Sequence, residues 1–223
     1  MAAQKTHGPA GERSQPAAGR PPLGANDRKR ILDATTAVFL EKGFARAGTS
    51  EIARRAQTSK QTLYALFPTK ADLFAAVMGM QTEQLFSRHA YYIESRKAPR
   101  DVLAEMGRMV LRKYRTPEFL ALYRIVMAEA PHFPDLARQL WREGMQRGYG
   151  LLAEYLRSRG IGGPNYRKSA AQFVSFVIGD FLINSLLNVD FALSERTLRA
   201  RVREAVEDFL RLHPARGSGK AEE

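Results

Sequence analysis

The chain has 223 residues, of which 44% are hydrophobic and 26% charged, a composition typical of a globular protein with a substantial core. Its 35 lysines and arginines outnumber 23 acidic residues, and the net charge of +12 favours a polyanionic partner, nucleic acid ahead of an anionic membrane surface. Because the sequence contains no cysteine, disulfides, thiolate metal sites and cysteine nucleophiles are excluded, which fits a reducing cytoplasm.

The N-terminal segment, residues 1–25, is rich in proline, glycine, alanine and arginine and lacks the apolar stretch of a secretory signal. We predict that it is a disordered basic tail. The longest apolar run, residues 170–191, contains four polar residues that would be costly in hydrocarbon: Gln172, Asp180, Asn184 and Asn188. This run is therefore predicted to be a buried helix, and no membrane partner is expected.

The next segment, residues 26–44, has the spacing of an amphipathic helix, with Gly43 as a helix terminator. The predicted inner stripe of this helix consists of Ile31, Leu32, Thr35, Val38 and Phe39. A second, shorter helix is predicted to begin with Thr49 or Ser50 as its N-cap and with Glu51 in its first turn.

The stretch AQTSKQTLYALFPTK, residues 56–70, predicts a third helix of barely two turns, capped by Thr58 or Ser59 and ended by Pro68. One helical face carries the apolar residues Leu63, Leu66 and Phe67, which are predicted to pack inward. The other face presents hydrogen-bonding groups, of which only one is charged: Lys60, Gln61, Thr62 and Tyr64.

Two helices joined by a tight turn are typical of the helix-turn-helix, whose last helix enters the DNA major groove. Lys60 suits guanine or phosphate, and Gln61 suits adenine. The hydroxyls of Thr62 and Tyr64 suit phosphate oxygens. A solvated polar face is the alternative, but it does not explain two capped helices around so brief a turn, or Lys70 at the start of the next helix.

From Lys70 onward the apolar spacing stays helical and no alternating strand pattern occurs. Helices are predicted over 70–96, 100–114, 118–129, 134–159, 165–190 and 195–212. The first of them is predicted to start with Thr69 as its cap and Asp72 as the partner three residues on. The sequence therefore predicts an all-α fold with a three-helix helix-turn-helix DNA-binding domain at 26–70. A larger C-terminal helical bundle is predicted at 71–213 and a disordered tail at 214–223.

Residues 30–78 closely resemble the N-terminal domain of the TetR family of bacterial transcriptional regulators. The agreeing positions are Gly43, Phe44, Thr49, Ser50, Ile52, Ala53, Ser59, Lys60, Thr62, Leu63, Tyr64, Phe67, Lys70, Leu73 and Phe74. The resemblance implies an all-helical homodimer in the bacterial cytoplasm, associated with the nucleoid. It also implies that the N-terminal domain reads double-stranded DNA and that the C-terminal domain binds a small-molecule effector and dimerises.

By this resemblance, Thr49 and Ser50 cap the second helix and contact phosphate, and Lys70 holds the DNA backbone from the next helix. The complete predicted DNA-binding set is Thr49, Ser50, Ser59, Lys60, Gln61, Thr62, Tyr64 and Lys70. The turn departs from the usual Ala-Gly-Val-Ser of the family, because Gln57 replaces the residue best able to adopt a positive φ. Gln61 also replaces a commonly small residue, so base preference is not carried over.

Residues 122–141 resemble, less specifically, the second domain of the AcrR-like multidrug-regulator branch, which implies a cavity among the helices. Methionine and aromatic side chains suit an adaptable pocket, and ordinary core packing is the alternative for each of them. The candidate ligand-binding residues are Met78, Phe86, Met106, Met109, Tyr123, Met127, Trp141, Met145, Phe173, Phe176 and Asn184. Candidate polar anchors are Asn184, Asp180, His89 and Glu129, unless Asp180 and Asn184 pair with an arginine or with each other across a dimer.

The last two predicted helices are expected to pair with their copies in a four-helix dimer interface. The predicted interface residues are Phe181, Leu198, Val202, Val206 and Phe209. Such a dimer places two recognition helices about one DNA turn, roughly 34–36 Å, apart and calls for a palindromic operator.

No phosphate-binding glycine loop, nucleophile motif or cluster with metal-ligand spacing occurs in the sequence, so no enzyme activity, cofactor or metal is predicted. The leading hypothesis is a repressor that a small hydrophobic or amphipathic ligand releases from a palindromic operator. The alternatives are a ligand-independent architectural DNA-binding protein, an activator of the same family, and an enzyme on an all-helical scaffold.

Overall fold

A computed structural model describes residues 25–188 and 194–215, without the side chains of a few helical residues, among them Phe86 and His89. The predicted tails lie almost wholly outside these ranges. Within them the chain forms twelve α-helices, one π-helical segment and no strand, which confirms the all-α prediction. The helices are α1 (Ala25–Arg46), α2 (Thr49–Arg55), α3 (Lys60–Leu66), α4 (Lys70–Phe86), α5 (His89–Glu94), α6 (Pro99–Tyr114), α7 (Pro117–Glu129), α8 (Pro134–Gln139), the π segment (Leu140–Gln146), α9 (Arg147–Ser158), α10 (Tyr166–Ile178), α11 (Phe181–Leu186) and α12 (Glu195–Leu212).

Local hydrogen bonds fix the starts of the helices around the turn. Gly48, rather than Thr49 or Ser50, is the N-cap of α2, so the predicted cap is wrong by one residue and no side chain caps this helix. Ser59 caps α3 by accepting a bond from the Thr62 backbone N–H at 3.0 Å. The predicted capping box that starts α4, between Thr69 and Asp72, is confirmed.

An aromatic core holds the first four helices together. The rings of Phe39, Phe44 and Phe74 lie 5.1 to 5.8 Å apart, centroid to centroid, and all three side chains are buried. The same cluster includes four buried residues from α7 and α8: Phe119, Leu122, Val126 and Leu136. We call this cluster the first core. It extends beyond the domain boundary predicted near residue 70.

A second core joins α6, α9, α10 and α12. Gly107 allows α6 to approach α12 closely, since a Cβ at this position would lie 2.9 Å from the Val202 Cγ1 atom. Two of the predicted long helices are broken in the structure. The one predicted over 70–96 ends at Phe86, and the one over 165–190 is interrupted at Gly179, which has a φ of +46°.

The predicted dimer-interface residues belong to the interior of one protomer. Phe181, Leu198, Val202, Val206 and Phe209 are each at most 1% exposed and pack in the second core. The assignment of these five side chains to a surface between two copies is therefore wrong. An apolar stripe indicates that a helix face is buried, but it does not identify the surface that covers it.

Candidate nucleic-acid interface and effector cavity

The short helix α3 presents three polar side chains to the outside. Lys60, Gln61 and Tyr64 are exposed, whereas Leu63 and Phe67 are buried on the opposite face. Thr62 is half-buried, and its hydroxyl shares a 2.9 Å hydrogen bond with that of Ser59. Ser59 and Thr62 therefore shape the start of α3, and the outward surface consists of the other three side chains.

The start of α2 lies beside this surface. Ser50 is exposed, and the Thr49 hydroxyl shares a 3.0 Å hydrogen bond with the hydroxyl of Tyr64. This bond joins two predicted phosphate-binding groups, so each orients the other. The structure thus brings Thr49, Ser50, Lys60, Gln61 and Tyr64 together on one side of the three-helix unit.

The turn between α2 and α3 contains the expected positive φ. Gln57 has a φ of +50°, the conformation that glycine adopts most easily. Arg30 supports this turn from α1, because its Nε donates a 2.8 Å hydrogen bond to the carbonyl oxygen of Ala56. Sequence reasoning did not single out Arg30, since a charged residue early in an amphipathic helix gives no sign of a partner 26 residues away.

Lys70 contacts the protein itself in this structure. Its Nζ donates to the carbonyl oxygens of Ala45 at 3.0 Å and Ala47 at 3.4 Å, and it lies 4.7 Å from the centroid of the Phe44 ring. Burial lowers the pKa of Lys70, and the Glu129 carboxylate opposes this shift. Lys70 thus fixes α4 to the α1–α2 turn, and its contact with the DNA backbone stays a prediction.

An ion-pair cluster fixes α2 against α1. The Arg55 guanidinium binds Glu41 through two 2.6 Å hydrogen bonds and Glu51 through one of 2.8 Å, and Lys42 also pairs with Glu51. The bond from Arg55 lowers the pKa of Glu41, and the bond from Lys42 lowers the pKa of Glu51. Both carboxylates are therefore ionised at neutral pH, and the cluster holds the supporting helix of the DNA-facing surface.

Three contacts link the helix-turn-helix unit to later helices. The Gln139 side-chain amide at the end of α8 donates to Asp72, the residue of the capping box at the start of α4. The Ala45 backbone N–H donates a 3.2 Å hydrogen bond to Glu129 at the end of α7. The Phe44 and Phe133 rings meet edge to face with centroids 5.0 Å apart.

A cavity of about 120 Å³ lies where the first and second cores meet. Most of its wall is apolar, and its larger lining residues are methionines and aromatics. They are Met78, Tyr92, Met106, Met109, Tyr114, Phe119, Tyr123, Met145, Tyr149 and Phe173. Six of the predicted ligand-binding residues, Met78, Met106, Met109, Tyr123, Met145 and Phe173, thus line one cavity.

The remaining predicted pocket residues lie elsewhere. Met127 is 52% exposed and Trp141 49% exposed. Phe176 packs against the second core without lining the cavity, and the side chain of Phe86 is outside the described part of the structure. Met127, Trp141 and Phe176 share residue types with the cavity wall, but none of these three lines it.

The three predicted polar anchors whose side chains the structure describes do not line the cavity. Asp180 forms a 2.8 Å ion pair with Arg201 of α12, and Asn184 lies one turn further on, beside Asp180. Glu129 contacts the α1–α2 turn. The side chain of His89 is outside the described residues. The pairing of Asp180 with an arginine was one of the two alternatives predicted, and it occurs within one protomer.

Among the described residues that line the cavity, tyrosines are the only ones with a polar side chain. Burial raises the pKa of Tyr114, Tyr123 and Tyr149, so these phenols stay neutral and can donate hydrogen bonds. Within the described residues none of the three hydroxyls has a hydrogen-bond partner. Tyr114 and Tyr149 were missed in the sequence because a tyrosine with its ring in a core and its hydroxyl in a cavity has the same spacing as a core residue.

The π segment forms one wall of the cavity through Leu140, Gly144 and Met145. It directly follows Gln139, whose amide is bonded to the α4 capping box. π-helical turns are rare and occur often at functional sites. Here the segment connects the wall of the cavity with the first turn of α4.

No group of three or more histidine and acidic side chains in the described part of the chain could hold a metal ion. None of the described helices combines the length and apolar character that crossing a membrane requires.

An exposed recognition helix on a three-helix unit, joined to a helical bundle with an apolar cavity, defines the class of helix-turn-helix regulators. Comparison with known families agrees. Residues 31–77 match the model described as bacterial regulatory proteins of the tetR family, and residues 101–213 match the C-terminal domain of AefR-like transcriptional repressors. The chain therefore belongs to the TetR family of bacterial transcriptional regulators. Its second domain matches an AefR-like model, which differs from the AcrR-like branch suggested by the sequence.

Curated relatives match either over a short region or over most of the chain. The activator FasR of Mycolicibacterium smegmatis is 40% identical over 60 residues, which are 27% of this chain and 27% of FasR. The repressor KstR of the same organism is 38% identical over 58 residues, 26% of this chain and 28% of KstR. The uncharacterised regulator YvkB of Bacillus subtilis is 27% identical over 160 residues, 69% of this chain and 80% of YvkB.

Solved structures match over most of the chain. A TetR-family regulator structure from Mesorhizobium loti MAFF303099 has a TM-score of 0.71 at 25% identity, covering 85% of this chain and 97% of that one. The flavonoid-responsive regulator FrrA has a TM-score of 0.67 at 26% identity, covering 87% of this chain and all of FrrA.

Proposed function

We propose that this TetR-family regulator is a repressor that binds a palindromic operator as a homodimer and leaves it when a small apolar or amphipathic effector binds. The observation that carries the proposal is the apolar cavity between the two cores. Met78, in the helix that directly follows the recognition helix, lines this cavity and also packs in the first core. FrrA, which matches 87% of this chain, is described as flavonoid-responsive, and this supports a small-molecule signal.

The DNA contacts proposed here come from the exposed side chains of α3 and the start of α2. Gln61 reads a base edge, and Lys60 binds guanine or phosphate. Tyr64 and Thr49, already joined by a hydrogen bond, bind phosphate oxygens with Ser50 beside them. The first core holds this set in a fixed orientation, because α3 is anchored through the buried Leu63 and Phe67.

The proposed switch depends on the size and position of the cavity. At about 120 Å³ it approaches the roughly 150 Å³ of an apolar cavity that accommodates benzene, and ligand pockets generally span about 300–1,000 Å³. A larger effector must therefore displace the walls, which include α4 and the π segment. Such an effector binds the displaced arrangement more tightly and weakens operator affinity by the same free energy.

The proposed dimer uses the outward surfaces of α10 and α11. On the described part of this surface Ile183 is 46% exposed and Leu187, just after α11, is 67% exposed. These side chains replace the five buried residues predicted from the sequence. Ile183→Arg with Leu187→Glu should give a folded monomer with little operator affinity, measured by sedimentation and DNA binding. A dimer that persists in the double variant would place the interface elsewhere.

The experiment that tests DNA recognition starts from an operator selected out of random DNA with the parent protein. Gln61→Ala should cost about 1–3 kcal/mol of binding free energy and relax preference at one base pair. Lys60→Ala should reduce the salt dependence by about one unit of slope if Lys60 binds a phosphate. Unchanged binding by both variants would contradict the assignment of the recognition helix.

Tyr64→Phe has a matched control. It should weaken binding to all sequences alike, because it removes a hydroxyl without altering the ring. Tyr91→Phe removes the same group at a site of equal exposure, 43% against 44%, outside the helix-turn-helix unit, and should leave binding unchanged. Equal effects of the two substitutions would exclude a specific role for Tyr64.

Effector release is tested with operator-bound protein and a library of small apolar compounds. A repressor should lose operator affinity as a binding compound is added, and transcription from the operator should rise. FasR is named an activator. A compound that raises operator affinity, or that raises transcription only while the protein is bound to the operator, would therefore indicate that this protein is an activator. Tight operator binding that no compound changes would assign the ligand-independent alternative.

A further inference from the structure

The apolar cavity adjoins a second, strongly basic space. This basic groove, of about 680 Å³, lies between α5 and α6 and is lined by Arg88, Lys97, Arg108, Arg112 and Lys113. One carboxylate, Glu105, is also present in its wall. The groove therefore concentrates positive charge on one side of the effector domain, at a distance in sequence from the DNA-facing helices.

The cavity and the groove share two lining residues, Tyr92 and Met109. Lys113 also lies at this boundary, because its Nζ is 5.9 Å from the centroid of Phe119, a cavity residue, while its ammonium lines the groove. These residues place an apolar space directly beside a cationic one. A single molecule can therefore contact both.

The charges of the groove are incompletely paired. Lys97 forms an ion pair with the Glu105 carboxylate, and Arg112 forms one with Glu195 of α12 at 2.9 Å. Among the described residues, Arg108 has no ion-pair partner, and Lys113 donates to the neutral side-chain oxygen of Gln81. Arg108 and Lys113 are both half-buried and therefore lose hydration, and no described carboxylate forms an ion pair with either one, although Glu118 acts on Lys113 from beyond ion-pair distance. An anion placed between them would supply the missing charge.

We propose that the effector is an apolar chain or ring system with an anionic head group, its apolar part in the cavity and its carboxylate or phosphate bound by Arg108 and Lys113. This inference rests on the proposed function, since it names the chemical class of the molecule that acts there. A neutral or cationic amphiphile of the same length lacks the head-group contact and binds more weakly.

The geometry also connects the head group to α4. Gln81 belongs to α4, and its side chain bonds Lys113 of α6 on one side and Glu118 of α7 on the other, the latter at 2.8 Å. A head group that recruits the Lys113 ammonium competes with Gln81 and weakens this link. Anion binding thus acts on the same helix whose Met78 lines the cavity.

The test uses four probes with one decyl chain: decanoate, decyl phosphate, decan-1-ol and decyltrimethylammonium. Binding to the full chain without DNA is followed by calorimetry and by the fluorescence of Trp141, the one tryptophan, whose ring meets that of the cavity residue Tyr149. The two anions should bind about ten- to hundredfold more tightly than the alcohol, and the cation most weakly. The tighter of the two anions identifies the preferred head group.

Two variants probe the groove. Lys113→Met keeps the apolar stem over Phe119 and removes the positive charge of Lys113, whereas Arg108→Glu reverses the charge of Arg108. Each variant should weaken the binding of decanoate about tenfold or more and leave the affinity for decan-1-ol unchanged. Lys168→Glu makes the same charge reversal at an exposed site outside the groove and should have no effect. Thermal unfolding confirms that each variant is folded.

The outcomes separate the inference from the proposed function. Equal affinity for decanoate and decan-1-ol, or unchanged decanoate binding in both groove variants, overturns the anionic effector. Anion-dependent binding that leaves the operator complex intact upholds the inference about the site and overturns the ligand-released repressor. If the alcohol binds as tightly as the anions and releases the operator, the ligand-released repressor is upheld and the anionic effector is overturned.

Discussion

The two cores of the molecule are filled in different ways. In the first core, the Phe39, Phe44 and Phe74 rings are in mutual contact, and the side chains that anchor α3 are buried with them. Where the second core meets it, Met106, Met109 and the tyrosines surround an open space. One region consists of stiff side chains in contact, and the other of adaptable side chains around a void.

This difference matches the demands of the two regions. Direct reading of bases needs hydrogen-bond donors and acceptors held at fixed positions. Closely packed aromatic rings hold the neighbouring helices in one arrangement. An effector site that must change shape benefits from methionines, which have three rotatable bonds and repack readily. The cavity also leaves unfilled volume beside α4, so movement there costs fewer contacts than it would in the first core.

The largest effect is expected from truncation in the first core. Phe74→Ala should lower the free energy of unfolding by about 3–5 kcal/mol and abolish operator binding, because it opens a void between buried rings. Met109→Ala, at the wall of the existing cavity, should cost less than about 2 kcal/mol. Chemical denaturation of both variants gives the comparison. Equal losses would show that the two regions are packed alike.

An intermediate effect is expected from enlarging two valines of α10. Val174→Phe extends into the cavity and should raise the free energy of unfolding by about 0.5–2 kcal/mol while blocking the effector. Val177→Phe, one turn later and fully buried beside Gly107, should instead cost about 1–3 kcal/mol. Denaturation curves and effector titrations check both. Destabilisation by Val174→Phe would mean that the cavity cannot accept a side chain.

The smallest effect concerns the turn between α2 and α3. Gln57→Gly should stabilise the protein by less than about 1 kcal/mol, because relief of the positive φ exceeds the added freedom of the unfolded chain. Thr58→Gly, at the next position, which has no positive φ, should destabilise by about 0.5–1 kcal/mol. Thermal unfolding of the pair is the measurement. A gain from both substitutions would point to a general effect of glycine in this turn.

Local signals made part of this structure predictable. The Thr69–Asp72 capping box was identifiable because a cap and its partner lie three residues apart, whereas Thr58 and Ser59 were alternative caps of α3 and the structure shows Ser59. Proline and apolar spacing gave α6, α7 and α12 almost to the residue. The exposed set on α3 followed from the opposite apolar face. Six of the cavity residues followed from residue type and from the family resemblance.

The rest depended on contacts distant in sequence. The stripe of α12 predicted a buried face, but only the fold shows that α6 and α10 cover it. Lys70 is basic and follows the recognition helix, yet the carbonyl oxygens that bind its ammonium lie 23 and 25 residues earlier. The break at Gly179 was hidden within an apolar run. Because Gly179 has no Cβ, Arg201 has room to donate to the last carbonyls of α10; a Cβ there would lie 2.2 Å from its guanidinium.

The membership of α7 and α8 in the first core has a consequence for building hybrid regulators. A junction placed after α4 would transfer the helix-turn-helix unit without Phe119, Leu122, Val126 and Leu136, and would leave its apolar underside exposed to water or to unmatched side chains. A functional chimera must therefore transplant those four residues as well, or redesign the recipient's equivalent helices to fit. The portable unit of DNA specificity in this chain is discontinuous in sequence.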